Sequence, residues 1–288
     1  MTEYLLFAGQ GIQRKGMGGD LFDRHPDLVA AADEILGYSI ADLCLRDPER
    51  RLRDTRYAQP AVFVVNALAT EAHPRRARAA DPSGAGFDGF AGHSLGEYNA
   101  LAAAGVLSFA EGLRIVVKRA EMMARIGGGG MAAVIGPPAV LVERALRETG
   151  LTGVFVANRN ADNQTAIAGD RIELKQAAAH LADLPGARVV TLNVSGPFHT
   201  PLMEAAAKEF EAALAEADFG TGRATVFSSV TAAPLPQEPA AVRAVLRDQI
   251  AAPVEWTRTV RALRASGDGV SFTEAYGGTL TALLDDIR

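Results

Sequence analysis

The sequence has one cysteine, few aromatic residues and no long apolar segment. The single thiol, Cys44, excludes an internal disulfide. No apolar run reaches the ~20 residues of a membrane-spanning helix. The first four residues, Met-Thr-Glu-Tyr, lack the basic segment of a secretion signal. We therefore expect a cytoplasmic protein that does not bind membranes.

An excess of positive charge is also missing. The formal net charge is −5, which gives no general attraction to nucleic acid. The five histidines show no metal-ligand spacing, so no metal site is predicted. The chain has 288 residues, of which 48% are hydrophobic and 22% charged. This composition is typical of a folded protein with a large core and one or two domains.

The most informative stretch is Gly92-His93-Ser94-Leu95-Gly96, which has the Gly-x-Ser-x-Gly spacing of a nucleophile elbow. In such an elbow a serine lies on a sharp turn between a strand and a helix. Chance matches are common in a chain with 29 glycines. The context is nevertheless suitable, because apolar residues precede the serine and a helix-forming run, 95–104, ends at Gly105. We predict a reactive serine at this turn.

The order of the other patterns predicts an α/β fold with an inserted domain. Residues 4–8 are predicted as a central strand that leads into the turn Gly9-Gln10-Gly11. A helix through Ala72 is predicted to begin close to Pro60, and residues 73–86 are predicted as an exposed connection. After the four glycines at 127–130, the order βαββαβ is typical of a ferredoxin-like unit. The predicted domains are 1–128 with 196–288, and the insertion 129–195.

Arg119 interrupts an apolar stripe on a helix that begins with the capping pair Ser108 and Glu111. One interpretation is an arginine at the edge of the stripe with its head group in solvent. The other is a buried guanidinium that binds an anion, since no acidic residue lies on that stripe to pair with it. The helix pattern leaves both interpretations open.

His199 lies in a turn bounded by glycine and proline, just before a predicted helix. A lone histidine in a loop is usually a solvated or capping residue. With a candidate nucleophile upstream at Ser94, a catalytic base becomes a second interpretation.

Several motifs occur in one order that spans nearly the whole chain. They are Phe7-Ala8-Gly9-Gln10-Gly11-Ile12-Gln13, Gly92-His93-Ser94-Leu95-Gly96-Glu97, Lys118-Arg119, Gly196-Pro197-Phe198-His199-Thr200-Pro201-Leu202-Met203 and Gln249. Together they resemble the malonyl-CoA:acyl-carrier-protein transacylases. The segments 36–40, 57–60 and 96–101 are most similar to the stand-alone, trans-acting acyltransferases of polyketide synthases.

The resemblance implies a large α/β-hydrolase-like domain with a parallel sheet and an inserted ferredoxin-like domain. It implies Ser94 as the nucleophile that accepts the acyl group, and His199 as its base. It further implies Gln249 as the residue whose backbone carbonyl orients the histidine, Gln10 and Leu95 as oxyanion N–H donors, and Arg119 as the ligand of the malonyl carboxylate.

The implied reaction moves a malonyl group from coenzyme A, through a serine ester, to the phosphopantetheine thiol of an acyl carrier protein. No bound cofactor or metal is expected, and neither is nucleic acid. A monomer is expected. The carrier is free or a polyketide synthase domain, for polyketide or fatty acid synthesis. Because carrier proteins are typically acidic, a basic rim is expected, with candidates Lys15, Arg51, Arg53 and Arg125.

The acyl pocket is implied to include Phe198, Met123 and Asn160. Phe198 resembles the bulky residue of malonyl-selective members and would crowd a branched acyl unit. The sequence departs from the family pattern at Ala8, Arg159, Ser229 and Tyr276, and these departures bear on the choice of acyl unit more than on the chemistry.

Other functions remain open. An acyl hydrolase, a transferase of a substituted malonyl unit and a carrier-to-carrier transferase would use the same fold. A general α/β-hydrolase would need a triad carboxylate, for which the candidates are Asp170 and Asp183. A silent docking module would need none of the catalytic residues.

Overall fold

A computed structural model of the protein describes residues 2–73 and 86–288. The predicted connection at 73–86 therefore lies almost entirely outside the described residues. The described chain forms two four-stranded sheets, one parallel and one antiparallel.

The larger sheet is parallel and carries the two predicted turns. Its strands are β1 (Glu3–Phe7), β2 (Gly89–Gly92), β7 (Thr225–Phe227) and β8 (Ser271–Glu274), in the order β7-β2-β1-β8. The side chains of Leu5 and Leu6 are fully buried, as expected for a central strand with both faces covered. Around the sheet lie α1 (Leu21–Arg24), α2 (Pro26–Leu36), α3 (Ile40–Arg46), α4 (Thr55–Ala72), α5 (Gly96–Ala103), α6 (Phe109–Arg125), α9 (Glu204–Glu216), α10 (Pro239–Gln249), α11 (Trp256–Ala265) and α12 (Thr279–Leu284).

The smaller sheet is antiparallel and lies between α6 and α9 in the chain. Its strands are β3 (Gly129–Ile135), β4 (Val154–Ala161), β5 (Gln164–Asp170) and β6 (Arg188–Thr191), in the order β4-β5-β3-β6. One face packs on α7 (Ala139–Thr149) and α8 (Arg171–Ala182). The other face joins the main core through Met131, Ala157 and Ala168. This confirms the predicted α/β fold with a large parallel-sheet domain and a small ferredoxin-like domain.

The prediction that a helix begins close to Pro60 is wrong. Helix α4 begins at Thr55, and Pro60 lies inside it. The start is set by Asp54, whose carboxylate accepts a hydrogen bond from the Arg56 N–H, as expected for an N-cap residue. Proline is common in the first helical turn and therefore suggests a start, but the aspartate cap lies six residues earlier, at Asp54.

The cap predicted for the second helix after the elbow is present. The Ser108 hydroxyl accepts from the Glu111 N–H at 3.1 Å, and α6 begins at the next residue, Phe109. Cys44 is buried in α3, and burial raises the pKa of its thiol to about 12. Among the described residues, no helix combines the length and apolar character needed to cross a bilayer.

Candidate active site

Two turns at adjacent strand ends form the base of the site. Gln10 follows β1 and Ser94 follows β2, and these two strands are paired in the centre of the parallel sheet. The carboxyl ends of neighbouring parallel strands are where α/β folds bind ligands. The site therefore lies where the topology favours it.

The elbow at Ser94 requires a strained backbone and small neighbours. Ser94 has φ +51°, in the left-handed region that non-glycine residues seldom occupy. A Cβ atom at Gly96 would lie 2.0 Å from the Phe7 carbonyl oxygen, so glycine is needed there. Such strain persists where the surrounding structure imposes it, and here the serine hydroxyl contacts His199 and Arg119.

Ser94 and His199 are in direct contact although 105 positions separate them. The Ser94 Oγ lies 2.7 Å from the His199 Nε2, and the His199 Nδ1 lies 2.9 Å from the backbone carbonyl oxygen of Gln249. A carbonyl can only accept, so Nδ1 carries the proton and Nε2 is left to accept the serine O–H. This tautomer is the one a general base needs.

Burial keeps His199 neutral. Its pKa is lowered to about 3, first because burial disfavours the charged ring and second because the Arg119 guanidinium is close. The candidate triad carboxylates lie elsewhere. Asp170 caps α8 by accepting from the N–H groups of Ile172 and Glu173, and Asp183 is exposed at the end of that helix. A hydrolase with either aspartate as the third member of a triad is not supported.

Arg119 is buried, with 1% of its surface exposed, and contacts the nucleophile. Its Nη2 donates to Ser94 Oγ at 3.0 Å and to the side-chain oxygen of Gln249 at 3.2 Å. Its Nη1 donates to the side-chain oxygen of Gln59 at 2.7 Å. Among the described residues no carboxylate is bonded to it, and Nε has no partner. A buried charge is costly unless it is paired, so this guanidinium is suited to binding an anion.

The edge-of-stripe interpretation of Arg119 can therefore be set aside. Its guanidinium also lies over the Tyr98 ring, 5.5 Å from the centroid. Burial lowers its pKa, but a guanidinium remains protonated in proteins.

Gln249 joins the histidine and the arginine in one network. Its backbone carbonyl accepts from His199 and its side-chain oxygen accepts from Arg119. Its amide nitrogen donates to the Ser94 carbonyl at 3.2 Å and to the Glu97 carboxylate at 3.0 Å. Every polar atom of this side chain is therefore fixed by the site.

Glu97 lies beneath that network as a fully buried carboxyl group. One of its oxygens accepts from Gln249 and from both the N–H and the hydroxyl of Ser229, at 3.1 and 2.9 Å. Its other oxygen has no partner among the described residues. Burial raises the pKa of Glu97 although these donors act in the opposite direction.

The backbone N–H groups of Gln10 and Leu95 have no hydrogen-bond acceptor among the described residues. Leu95 precedes the first residue of α5, where the helix dipole favours negative charge. Two free N–H groups at adjacent strand ends have the chemistry of an oxyanion hole.

The three residues expected in the acyl pocket adjoin this network. The sulfur of Met123 lies 3.5 Å from the Gln59 amide nitrogen, and the Asn160 side-chain oxygen lies 2.9 Å from His93 Nε2. Phe198 directly precedes His199 and is buried. Asn160 lies on β4, so the small antiparallel sheet contacts the residue that precedes Ser94.

Of the expected basic rim, three members share one cleft. Arg51, Arg53 and Arg125 line a cleft of about 580 Å³ together with Ser195, whose hydroxyl lies 3.0 Å from the Thr55 hydroxyl. Thr55 is in turn bonded to the Gln10 side chain, which links the cleft to the site. Lys15 is exposed and does not line this cleft.

Sequence reasoning gave no role to Gln59, Glu97 or Ser229. The signals were present, because Glu97 is an acidic residue inside the apolar run 95–104 and Gln59 precedes the apolar stretch of α4. A polar residue in such a place is normally buried with a partner. Within the described residues, no cluster of three or more His, Cys, Asp or Glu could hold a metal ion.

Residues 4–282 match the acyl transferase domain family. The chain belongs to this family. The predicted resemblance is thereby confirmed. The proteins similar to this chain include polyketide biosynthesis enzymes. The acyltransferase is 42% identical over 285 residues to the polyketide biosynthesis malonyl CoA-acyl carrier protein transacylase PksC of Bacillus subtilis, covering 98% of this chain and 96% of PksC. It is 45% identical to the polyketide biosynthesis protein ThaF of Burkholderia thailandensis, covering 98% of this chain but only 24% of ThaF.

Solved structures agree with this fold. A malonyl CoA-acyl carrier protein transacylase from Burkholderia pseudomallei matches the acyltransferase with a TM-score of 0.92 and 42% identity, over 100% of this chain and 98% of the other. A type II polyketide synthase acyl-carrier protein in complex with its malonyl-transacylase matches with a TM-score of 0.90 and 31% identity, over 100% and 93% of the two chains.

Proposed function

We propose that this acyltransferase moves a malonyl group from coenzyme A to the phosphopantetheine thiol of an acyl carrier protein, for polyketide synthesis. The observation that carries the proposal is Arg119, a buried guanidinium with no carboxylate partner among the described residues, bonded to Ser94 Oγ. A nucleophile beside an unpaired cation is suited to an acyl group that bears its own carboxylate. The similarity to malonyl transacylases supports the same substrate.

In the first half-reaction Ser94 Oγ attacks the thioester carbonyl carbon and its proton passes to His199 Nε2. The negative charge that develops on the carbonyl oxygen is stabilised by the N–H groups of Gln10 and Leu95. The carbon–sulfur bond then breaks, and the departing thiolate takes the proton from His199. A malonyl-serine ester remains.

The second half-reaction is the reverse with a different thiol. The carrier's thiol gives its proton to His199, and its sulfur attacks the ester carbon. The bond from carbon to Ser94 Oγ breaks, and the serine oxygen takes the proton back. The backbone carbonyl of Gln249 keeps His199 in the required tautomer throughout, in place of a triad carboxylate.

Arg119 selects the acyl group in this scheme. Its Nη atoms exchange their bonds to neutral amide oxygens for the malonyl carboxylate, a charge-assisted pair that an uncharged acyl group cannot form. Phe198, Met123 and Asn160 form the walls that face the substrate carbons. A hydrolase of uncharged acyl chains would have no substrate carboxylate to place against the buried guanidinium.

The malonyl ester must be kept from water, because hydrolysis would waste it. The small domain covers the serine in our proposal, with domain boundaries after residues 128 and 195. The cleft lined by Arg51, Arg53 and Arg125 would receive the acidic carrier protein. A monomer in the cytoplasm remains a prediction.

Intact mass measurement after incubation with a set of acyl-CoA esters tests the function. We expect the mass to rise by one malonyl group with malonyl-CoA, and Ser94→Ala to abolish the gain. Addition of a holo-carrier protein should remove the group from the enzyme and add it to the carrier. A mass gain with uncharged esters but none with malonyl-CoA would contradict the proposal.

A further inference from the structure

Arg159 joins two carboxylates that belong to different domains. Its Nη2 and Nε donate to the Glu143 carboxylate of α7, at 2.6 and 2.9 Å. Its Nη1 donates to the Glu255 carboxylate, one residue before α11, at 2.6 Å. The side chains of Arg159, Glu143 and Glu255 are 27%, 28% and 13% exposed. Two N–H donors that converge on one Glu143 oxygen, in a pair shielded to this degree, fix geometry better than an exposed pair does.

The backbone around Arg159 binds the same part of the large domain. The Arg159 N–H donates to the Val254 carbonyl and the Val254 N–H donates to the Ala157 carbonyl, both at 2.8 Å. The Thr257 hydroxyl donates to the Arg159 carbonyl at 3.0 Å. The outer edge of β4 is therefore held along residues 254–257.

One line of contacts runs from this edge to the nucleophile. Asn160, the residue after Arg159, bonds His93 Nε2 at 2.9 Å. The His93 ring also packs on Trp256, with the ring centroids 5.6 Å apart. His93 directly precedes Ser94, so a shift of β4 would be transmitted to the elbow.

A second line runs to the catalytic histidine. The Glu255 N–H donates to the Ser229 carbonyl at 2.7 Å. Ser229 in turn donates twice to Glu97, and Glu97 accepts from the Gln249 side chain. The Gln249 carbonyl holds His199. Two positions at which the sequence departs from the family pattern, Arg159 and Ser229, thus lie on one connected path.

We propose that Arg159 is a positioning residue for acyl transfer. By bridging Glu143 and Glu255, it fixes the small-domain wall of the acyl pocket against the elbow and the histidine. The bridge keeps the serine ester aligned for attack by the carrier thiol and shielded from water. Loss of the bridge loosens the wall, so that water competes with the thiol. The inference rests on the proposed transfer reaction.

The test compares hydrolysis and transfer of the acyl-enzyme in matched variants. Arg159→Met keeps an aliphatic side chain and removes the guanidinium. Glu255→Gln removes the charge of one carboxylate. The control is Arg144→Met, which breaks an exposed pair with Glu148 on the same helix as Glu143. We expect the ratio of hydrolysis to transfer to rise roughly tenfold in Arg159→Met and to stay at the wild-type value in the control.

Two further results separate positioning from a purely structural role. Arg159→Lys should restore the ratio only in part, because an ammonium cannot bridge both carboxylates with a planar fork. The effects of Arg159→Met and Glu255→Gln should be non-additive in the double variant. A lowered melting temperature with an unchanged ratio, measured well below melting, would overturn the proposal, as would additive effects. If Arg159→Met does not fold, Glu143→Gln and Glu255→Gln carry the test, because their side chains keep the original shape.

The ratio is measured with whichever acyl thioester the wild-type enzyme accepts. Failure of malonyl loading would therefore overturn the proposed substrate alone. An unchanged ratio in the variants would overturn the role of Arg159 alone.

Discussion

Arg119 donates a hydrogen bond from Nη2 to the hydroxyl oxygen of Ser94 at 3.0 Å. The group that we assign to the substrate carboxylate therefore also touches the nucleophile. A positive charge at this distance stabilises the serine oxygen as it loses its proton. Substrate selection and activation of the nucleophile consequently depend on one side chain.

Replacement of Arg119 by alanine should abolish malonyl loading while uncharged acyl groups are still accepted. Two charge-assisted hydrogen bonds are worth ~1.5–3 kcal/mol each, so we expect kcat/KM for malonyl-CoA to fall roughly 10²–10⁴-fold. The kcat/KM for acetyl-CoA should fall far less. Rapid-quench loading assays measure both, with Arg114→Ala as control, since Arg114 is exposed on the same helix and pairs with Glu111. Malonyl loading within tenfold of wild type would contradict the assignment.

The depressed pKa of His199 predicts how stability depends on pH. The unfolded histidine binds a proton near pH 6.5, whereas the folded one remains neutral until about pH 3. The contribution of neutral His199 to the free energy of unfolding is complete above pH 6.5. It is lost as the pH falls from 6.5 toward 3, because the unfolded chain then binds a proton that the folded chain does not. Between pH 7.5 and pH 5.5, the free energy of unfolding measured in urea should fall by about 1 kcal/mol less in His199→Gln than in wild type. Equal losses would show that His199 is not buried as a neutral ring.

Glu97 should tolerate loss of its charge but not of its shape. Burial raises the pKa of Glu97, and the oxygen of a neutral amide at this position can still accept from Ser229 and Gln249. We expect Glu97→Gln to retain kcat within about threefold, and Glu97→Ala to lose about tenfold or more because Gln249 loses a partner. Steady-state transfer assays separate the two. Equal losses in both variants would argue that the charge itself is needed.

The cleft lined by Arg51, Arg53 and Arg125 should act on the carrier protein and not on the chemistry. Arg53 is exposed and has no ion-pair partner among the described residues. Arg53→Gln should raise KM for the carrier several-fold and leave kcat unchanged, with the effect fading at high salt. Loading from a malonyl thioester of N-acetylcysteamine, which lacks phosphate and carrier, should be unaffected. Arg46→Gln, at an exposed pair outside the cleft, is the control. An effect of equal size on the small thioester would disprove the docking role.

Phe198 should limit the size of the acyl unit. Its ring is buried immediately before His199. Phe198→Ser should improve methylmalonyl relative to malonyl loading by about 10-fold or more, since one pocket contact is worth ~1–3 kcal/mol. Competition between the two CoA esters, read by mass, gives the ratio directly. An unchanged ratio would place the specificity elsewhere in the pocket.

Local patterns in the sequence predicted the turn at Ser94 and the fold. The spacing Gly92-x-Ser94-x-Gly96 reflects steric limits that act within a few residues, so it can be recognised without a structure. The βαββαβ order of the small domain is visible for the same reason. The start of α4 was misjudged because Pro60 is a more conspicuous mark than the cap at Asp54.

Partners distant in sequence could not be derived in this way. The bond between Glu97 and Ser229 spans 132 positions, and the bond between Arg119 and Gln59 spans 60. No periodicity encodes such pairs, because they depend on how strands and helices pack. The two interpretations of Arg119 could be separated only once its burial and its neutral partners were known.

The buried thiol of Cys44 affects how the enzyme tolerates its own substrates. Thioesters exchange readily with any accessible thiolate. This chain has one cysteine, and burial raises its thiol pKa to about 12, so almost no thiolate forms at neutral pH. Cys44 therefore presents no reactive thiolate to acyl thioesters.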